Sequence, residues 1–302
     1  MHTPTINSMR KISILLFLAA TSCAHQGFVF RSVHGFSPAT NAALEKFLEE
    51  NKSHKGRKVA VFDGDGTVLG QVPHYLADEC LYRYAKAHPD RRPEIIARMK
   101  HKSNVSIPYV QDRVFYLAGM TLDEVRQMGT QCYESDYRGK IYTPMKDLIE
   151  LLKDNDFEIW IITASPEGLY QEFLSHELQI SPTHIVGVKS VIRGGIITDR
   201  IVEPIPQDAG KKEAVETFVQ TTPLLAAGNS RGDREMIESS SGIRMIINPD
   251  EHLESGEKIS IAQYAKDHNW LVEKINDVEE SGFPAVSSKS YGIRKNRAHP
   301  VP

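Results

Sequence analysis

The chain reads as an α/β protein: a three-layer core around a mostly parallel sheet, with an α-helical domain inserted into it. Short apolar runs at Val59–Phe62, 157–163, Leu224–Ala227 and Arg244–Ile247 alternate with helical stretches. Strands alternating with helices imply a parallel sheet covered on both faces. The interval between Thr67 and the run at 157 is far longer than a strand–helix–strand unit needs. Its apolar residues recur at three- and four-residue spacing, so the piece that sits there is helical. A chain of 302 residues, 40% of them hydrophobic, is long enough for one large domain with such an insertion.

The elements follow in order. Met9-Arg10-Lys11 is a short basic region, and Ile12 to Ala20 is apolar. The apolar stretch is too short to cross a bilayer, which takes about 20 residues, but suits the core of a signal peptide. Cys23 follows Ala20-Thr21-Ser22 in the manner of a bacterial lipoprotein processing site. Residues 1–22 are therefore expected to be a lipoprotein-type signal peptide and 23–57 an N-terminal extension. Ordinary cleavage after Ala24 is the competing reading. The expected location is the periplasm, with a lipid on Cys23 holding the protein to a membrane.

Ala42 to Glu50 can form an amphipathic helix before the first strand. The core is expected at 58–72 and 143–255, and the inserted helices at 73–142. Tyr75–Ala87, Pro93–Lys100, Gln111–Leu117 and Leu122–Tyr133 carry the helical pattern, and Thr121 with Glu124 makes a capping box. Pro144 opens a helix that runs to Leu152. The run at 157–163 is a strand, and a helix follows from Pro166 to Leu178. Ile185–Val191 and Ile196–Ile201 are strands about the turn Arg193-Gly194-Gly195. Lys212–Phe218 is helical. Residues 256–302 are expected to hold a last helix, Ile261–Ile275, and a loose tail from Ser281, polar and ending in proline.

The net charge of −3 gives no attraction to nucleic acid, and no nucleic-acid partner is expected. Cys80 and Cys132 both fall in the inserted helices. An oxidising compartment allows them to pair, but buried free thiols are the expectation.

The chemistry is concentrated at Val59–Val68, VAVFDGDGTV. A buried strand ends in Asp63, and Gly64, Asp65, Gly66 and Thr67 follow. Chain leaving the carboxyl end of a strand is where α/β folds place their sites. Two carboxylates this close cannot both ionise freely, so one tends to keep its proton. That sets a nucleophile beside a general acid. A plain turn is the bland alternative. A calcium loop is excluded, because its sixth and twelfth positions need Gly and Glu, and here are Val68 and His74.

This stretch resembles the first motif of the haloacid dehalogenase-like hydrolase superfamily, D-x-D-x-T/V after a strand. Three further stretches match in the family's order. FEIWIIT at 157–163 ends at Thr163, in the place of the second-motif Ser/Thr; Gly210-Lys211 matches the third-motif lysine; and LLAAGNSRGD at 224–233 matches the acidic fourth motif. The texture of ITASPEGLYQEF and GNSRGDREMI is similar to the phosphoserine phosphatase-like branch, exported phosphorylcholine phosphatases included. The resemblance implies a Rossmann-like three-layer core, a helical cap over the site, and Mg²⁺ as cofactor. It implies that Asp63 attacks phosphorus, that Asp65 serves as acid and then base, and that Thr163 and Lys211 hold the phosphoryl group. Asp63, the backbone carbonyl of Asp65, Asn229 and Asp233 would hold the metal. Asn229 stands where Asp is frequent, which removes a negative charge; either Mg²⁺ binding is weaker for it or Asp233 carries more of the binding. Lys212 is the rival of Lys211. Ser165 is the rival of Thr163 as donor to the phosphate, or a cap for the next helix, and the cap is the favoured reading.

The inserted segment is rich in tyrosine, at 75, 82, 84, 109, 116, 133, 137 and 142. Helical packing is the ordinary reading. A ring-lined pocket for a cationic head group such as choline is the sharper one, while Arg113, Arg126 and Arg138 offer grips for an acidic substrate. The expected function is Mg²⁺-dependent hydrolysis of a small phosphorylated metabolite through an aspartyl-phosphate on Asp63. The alternatives are a broad-specificity acid phosphatase or phosphotransferase on the same scaffold, and a non-catalytic lipoprotein binding module.

Overall fold

The computed structural model describes residues 28–253 and 256–301. The expected signal peptide and Cys23 lie outside the described residues. Helix α1, Pro38–Asn51, starts where the Ser37 hydroxyl accepts the Thr40 N–H, with Pro38 in its first turn. Strand β1, Val59–Asp63, is buried throughout. The inserted helices follow: α2 Leu76–Ala87, α3 Pro93–Met99, α4 Ile107–Leu117 and α5 Leu122–Cys132, the last opened by the Thr121–Glu124 capping box. The core resumes with α6 Thr143–Lys153, β2 Glu158–Pro166, α7 Glu167–Leu178, and the hairpin β3 Ile185–Arg193 and β4 Ile196–Val202. It closes with α8 Ala209–Ala214, β5 Leu225–Gly228, α9 Arg234–Glu238, β6 Ile243–Ile247, α10 Ile261–Asp267 and β7 Leu271–Glu273.

Among the described residues, seven strands form one sheet in the order β4-β3-β2-β1-β5-β6-β7. Every pairing is parallel except that of β3 with β4. Alternate residues of β1 serve the two faces. Ala60 and Phe62 pack into the larger core with the inserted helices, and Val59 and Val61 face the layer of Ala214, Val215 and Met236. β1 lies between β2 and β5, so the chain leaves the centre of the sheet in both directions. A crevice therefore opens at the carboxyl ends of β1, β2 and β5.

Three expectations need correction. The stretch 261–275 is not one helix. Asn269, at φ +56°, turns the chain after α10, and Leu271–Glu273 pairs with β6. Cys80 and Cys132 are not free thiols but a disulfide, with α2 and α5 holding their Cα atoms 5.7 Å apart. The tail is anchored. Both oxygens of the buried Glu79 carboxylate accept backbone N–H groups, from Val286 at 2.7 Å and Ser287 at 3.0 Å. Tyr291 stacks on Tyr82 and Ile293 is buried. Among the described residues no helix is long and apolar enough to cross a membrane.

Candidate active site

The site begins at the end of β1. Asp63 is paired in register with Ile162 of β2, so the next residue of that strand, Thr163, stands beside the loop that leaves β1. The loop is a tight one. The Gly64 carbonyl accepts from the N–H groups of Val68 and Leu69, both at 3.0 Å. Gly66 has φ +86°, and a Cβ there would meet Asn229 Nδ2 at 2.1 Å. Glycine alone allows both that backbone conformation and that approach. The Thr67 hydroxyl turns back to donate to Asp63 Oδ2 at 3.0 Å.

α8 brings in Lys211. A Cβ at Gly210 would lie 2.0 Å from the Ile205 carbonyl oxygen, so a side chain there would push α8 away. Lys211 Nζ lies 2.5 Å from Asp63 Oδ1 and 2.5 Å from Asp233 Oδ1. Lys212, the rival, is half-exposed and faces Glu216 on the surface. The chain after β5 supplies Asn229 and Asp233. The second Asp233 oxygen accepts from the N–H of Asn229 and from the N–H and hydroxyl of Ser230, at 2.9–3.0 Å. Asp63, Asp65, Thr163, Lys211 and Asn229 line one cavity of about 400 Å³, and Asp233 sits fully buried behind Lys211.

Electrostatics separates the carboxylates. Burial and the neighbouring Asp233 push Asp63 up to about 7, against the opposing pull of Lys211. Burial also raises Asp65, although hydrogen bonds from Tyr170 and Ser165 pull it back. Burial works against ionised Asp233 too, but the Lys211 charge and hydrogen bond and the backbone donors overcome it, and its pKa is lowered. Burial opposes the Lys211 ammonium, and Asp233 and Asp63 more than offset that, so Lys211 stays charged.

Two buried carboxylates, Asp63 and Asp233, thus share one ammonium, and the part-buried Asp65 stands close by on its own donors. A hard dication would relieve that excess of negative charge, and its preferred ligands are oxygens. Among the described residues no three His, Cys, Asp or Glu side chains gather as a metal cage. The oxygens that could hold such a cation are the carboxylates of Asp63 and Asp233, with neutral oxygens from the Asn229 amide and the Asp65 carbonyl. Such a set fits Mg²⁺, which keeps several waters of its own.

Sequence reasoning missed two parts of the site. Tyr170 of α7 donates to both Asp65 oxygens, at 2.7 and 2.9 Å. Ser165 does not cap α7, which has no side-chain cap; its hydroxyl donates to Asp65 Oδ2 at 2.9 Å. The tyrosine pocket is also corrected. Of the tyrosines noted above, Tyr75 lines the cavity, while Tyr82 and Tyr109 bond to each other within the core at 2.7 Å. What sits by Tyr75 is the Arg113 guanidinium, 5.7 Å from its ring centre, itself paired with the buried Asp78 at 2.7 Å. Arg126 bonds to Gln171, and Arg138 pairs with Glu134 on the surface.

Comparison with known proteins bears on the family and the fold. A family model described as haloacid dehalogenase-like hydrolase matches residues 60–238. A phosphoserine phosphatase of Mycobacterium tuberculosis is 27% identical over 178 residues, covering 57% of this chain and 54% of its own. A protein of Mycobacterium leprae named as a hydrolase is 26% identical over 178 residues, covering 57% and 55%. The chain thus spans about half the length of the curated relatives it matches. A conserved protein of unknown function from Anaerococcus prevotii has the same fold, with a TM-score of 0.61 at 14% identity over 82% of this chain and 97% of that one. So does a protein of unknown function from Bordetella pertussis, with a TM-score of 0.56 at 16% identity over 72% and 99%.

Proposed function

We infer that this chain, which belongs to the haloacid dehalogenase-like hydrolase family, is a Mg²⁺-dependent phosphatase acting on a small phosphate monoester through an aspartyl-phosphate. The observation that carries this reading is the Lys211 bridge. One ammonium, 2.5 Å from each of two carboxylates, sits at the floor of a cavity where a second acid, Asp65, is held apart. Such a floor receives an anion and a nucleophile together.

The ester would enter with its phosphoryl group against Lys211 and the Thr163 hydroxyl. A carboxylate oxygen of Asp63, oriented by Thr67, attacks phosphorus, and the ester P–O bond breaks. Asp65 gives its proton to the departing alkoxide; its raised pKa keeps that proton available. Asp65, now ionised, takes a proton from water, and the resulting hydroxide attacks the same phosphorus. Inorganic phosphate leaves and the Asp63 carboxylate is restored. Mg²⁺, when bound by Asp63, Asp233, Asn229 and the Asp65 carbonyl, supplies positive charge to the phosphoryl oxygens.

The test is hydrolysis of p-nitrophenyl phosphate by the wild type and Asp63→Asn, with and without Mg²⁺. Turnover by the wild type with Mg²⁺, abolished in the variant, is expected. A wild type that binds phosphorylated ligands and turns over none would favour a binding module instead.

Export is part of the proposal. The basic and apolar N-terminal segment supports it, and the Cys80–Cys132 disulfide is in keeping with an oxidising compartment. Cys23→Ala is expected to release the protein from membranes. Unchanged fractionation would retire the lipid anchor.

A further inference from the structure

The residues after 275 lie outside the stretch matched by the family, yet they build a wall of the cavity. They also cross both connections between the core and the inserted helices. On the first, Asp277 Oδ2 accepts the Gln71 N–H at 2.9 Å. The Asn296 amide donates to the Gln71 carbonyl at 2.7 Å, and its backbone N–H to the Pro73 carbonyl at 2.8 Å. On the second, Asp277 forms a buried ion pair with Lys140 at 3.1 Å. Asp277 and His299 exchange backbone hydrogen bonds at 3.0 and 2.8 Å, closing the segment into a strap.

Arg294 sits on this strap between two fixed points, the buried Ile293 and the pinned Asn296. It is exposed and lines the same cavity as Asp63. The other lysines and arginines that line the cavity are engaged: Lys211 with Asp63 and Asp233, and Arg113 with the buried Asp78 at 2.7 Å. Lys295 pairs with Glu279 at 2.7 Å, Arg297 with Asp250 at 2.6 Å, and Arg231 with Glu257 at 3.2 Å. Among the described residues Arg294 has no ion-pair partner. The cavity, at about 400 Å³, holds more than a phosphate. A cation on a fixed backbone, facing the remainder of a bound ester, is built to read charge there.

We propose that Arg294 is a specificity-determining residue that selects phosphate esters carrying a second anionic group, carboxylate or phosphate, away from the reacting phosphoryl group. This rests on the phosphatase reading above for its reaction, though not for its binding.

The experiment compares glucose 6-phosphate, 6-phosphogluconate and glucose 1,6-bisphosphate on the wild type, Arg294→Ala and Arg294→Lys. Arg294→Ala is expected to raise KM for the two esters with a second anionic group by about tenfold, the usual weight of a charge-assisted contact. It should leave their kcat, and both constants for glucose 6-phosphate, within about twofold, as loss of uniform binding requires. Arg294→Lys should recover part of the loss. Comparison of 6-phosphogluconate with the bisphosphate shows whether carboxylate or phosphate is preferred. Equal changes for all three esters, or none, overturn the proposal. If the wild type hydrolyses no ester, calorimetric titration with the same compounds decides the matter separately. Arg294-dependent tighter binding of the pair with a second anionic group supports the proposal, and equal binding of all three overturns it.

Discussion

Tyr170 donates to both oxygens of Asp65, at 2.7 and 2.9 Å, and so ties the acid of the site to helix α7. The bond favours the ionised carboxylate and holds down a pKa that burial raises. Tyr170→Phe removes it. A charge-assisted bond of about 1.5–3 kcal/mol corresponds to an upward shift of about one to two units. The limb of the kcat profile that needs ionised Asp65 should move to higher pH by that amount, with kcat near neutrality falling about tenfold. A fall in kcat with no movement of the limb would make Tyr170 a packing residue only.

Asp63 must be ionised to attack, and burial beside Asp233 lifts its pKa to about 7. At low Mg²⁺, kcat/KM should therefore fall as pH drops through about 7. A dication favours the carboxylate over the acid, so saturating Mg²⁺ should carry this limb to lower pH, and Mg²⁺ affinity should itself weaken on acidification. Profiles of kcat/KM at several Mg²⁺ concentrations check both. A limb indifferent to Mg²⁺ would detach the metal from Asp63.

The same raised pKa has a cost in stability. A group that binds its proton more tightly folded than unfolded stabilises the fold at low pH. That stabilisation is lost as pH rises through the folded value, about 7 for Asp63. Asp63→Asn removes the penalised charge and leaves Lys211 its Asp233 partner. In Mg²⁺-free buffer the variant should have a higher Tm than the wild type at about pH 8, the gap closing toward about pH 4. A lower Tm at every pH would mean that the Asp63–Lys211 contact outweighs the burial of charge.

Gly66→Ala should act on the metal more than on the fold. The left-handed backbone costs a non-glycine residue about 1–2 kcal/mol. The added methyl, 2.1 Å from Asn229 Nδ2, must also displace that amide. An increase of at least about tenfold in half-saturating Mg²⁺ is expected, read by activity against Mg²⁺ concentration and by calorimetric titration of Mg²⁺ alone. Unchanged Mg²⁺ binding in a folded variant would remove Asn229 from the ligand set.

The positions of Asp63, Thr163 and Asn229 were legible in the sequence because each closes or follows a short apolar run, although β2 runs on past Thr163 to Pro166. Lys211 was legible from the glycine before it. Tyr170 was not, because its apolar ring satisfies the helical pattern of α7 whatever its hydroxyl does. The strap was illegible for a different reason. Its anchors join residues such as Glu79 and Val286, 207 positions apart, and polar tails carry no periodicity to betray such pairing. The division of 261–275 did carry a signal, Asn269, a residue that tolerates the left-handed turn ending a helix. Leu271 and Ile275, four positions apart, keep a helical spacing, so the apolar pattern alone does not mark the break.

Acid-quenching the enzyme during turnover of p-nitrophenyl phosphate, followed by peptide mass spectrometry, addresses the central claim directly. A phosphoryl group should appear on the peptide containing Asp63, accumulate in Asp65→Asn, where water activation is lost, and be absent from Asp63→Asn. Turnover with no phosphorylated peptide in any of the three proteins, or with the group on another residue, would contradict the account.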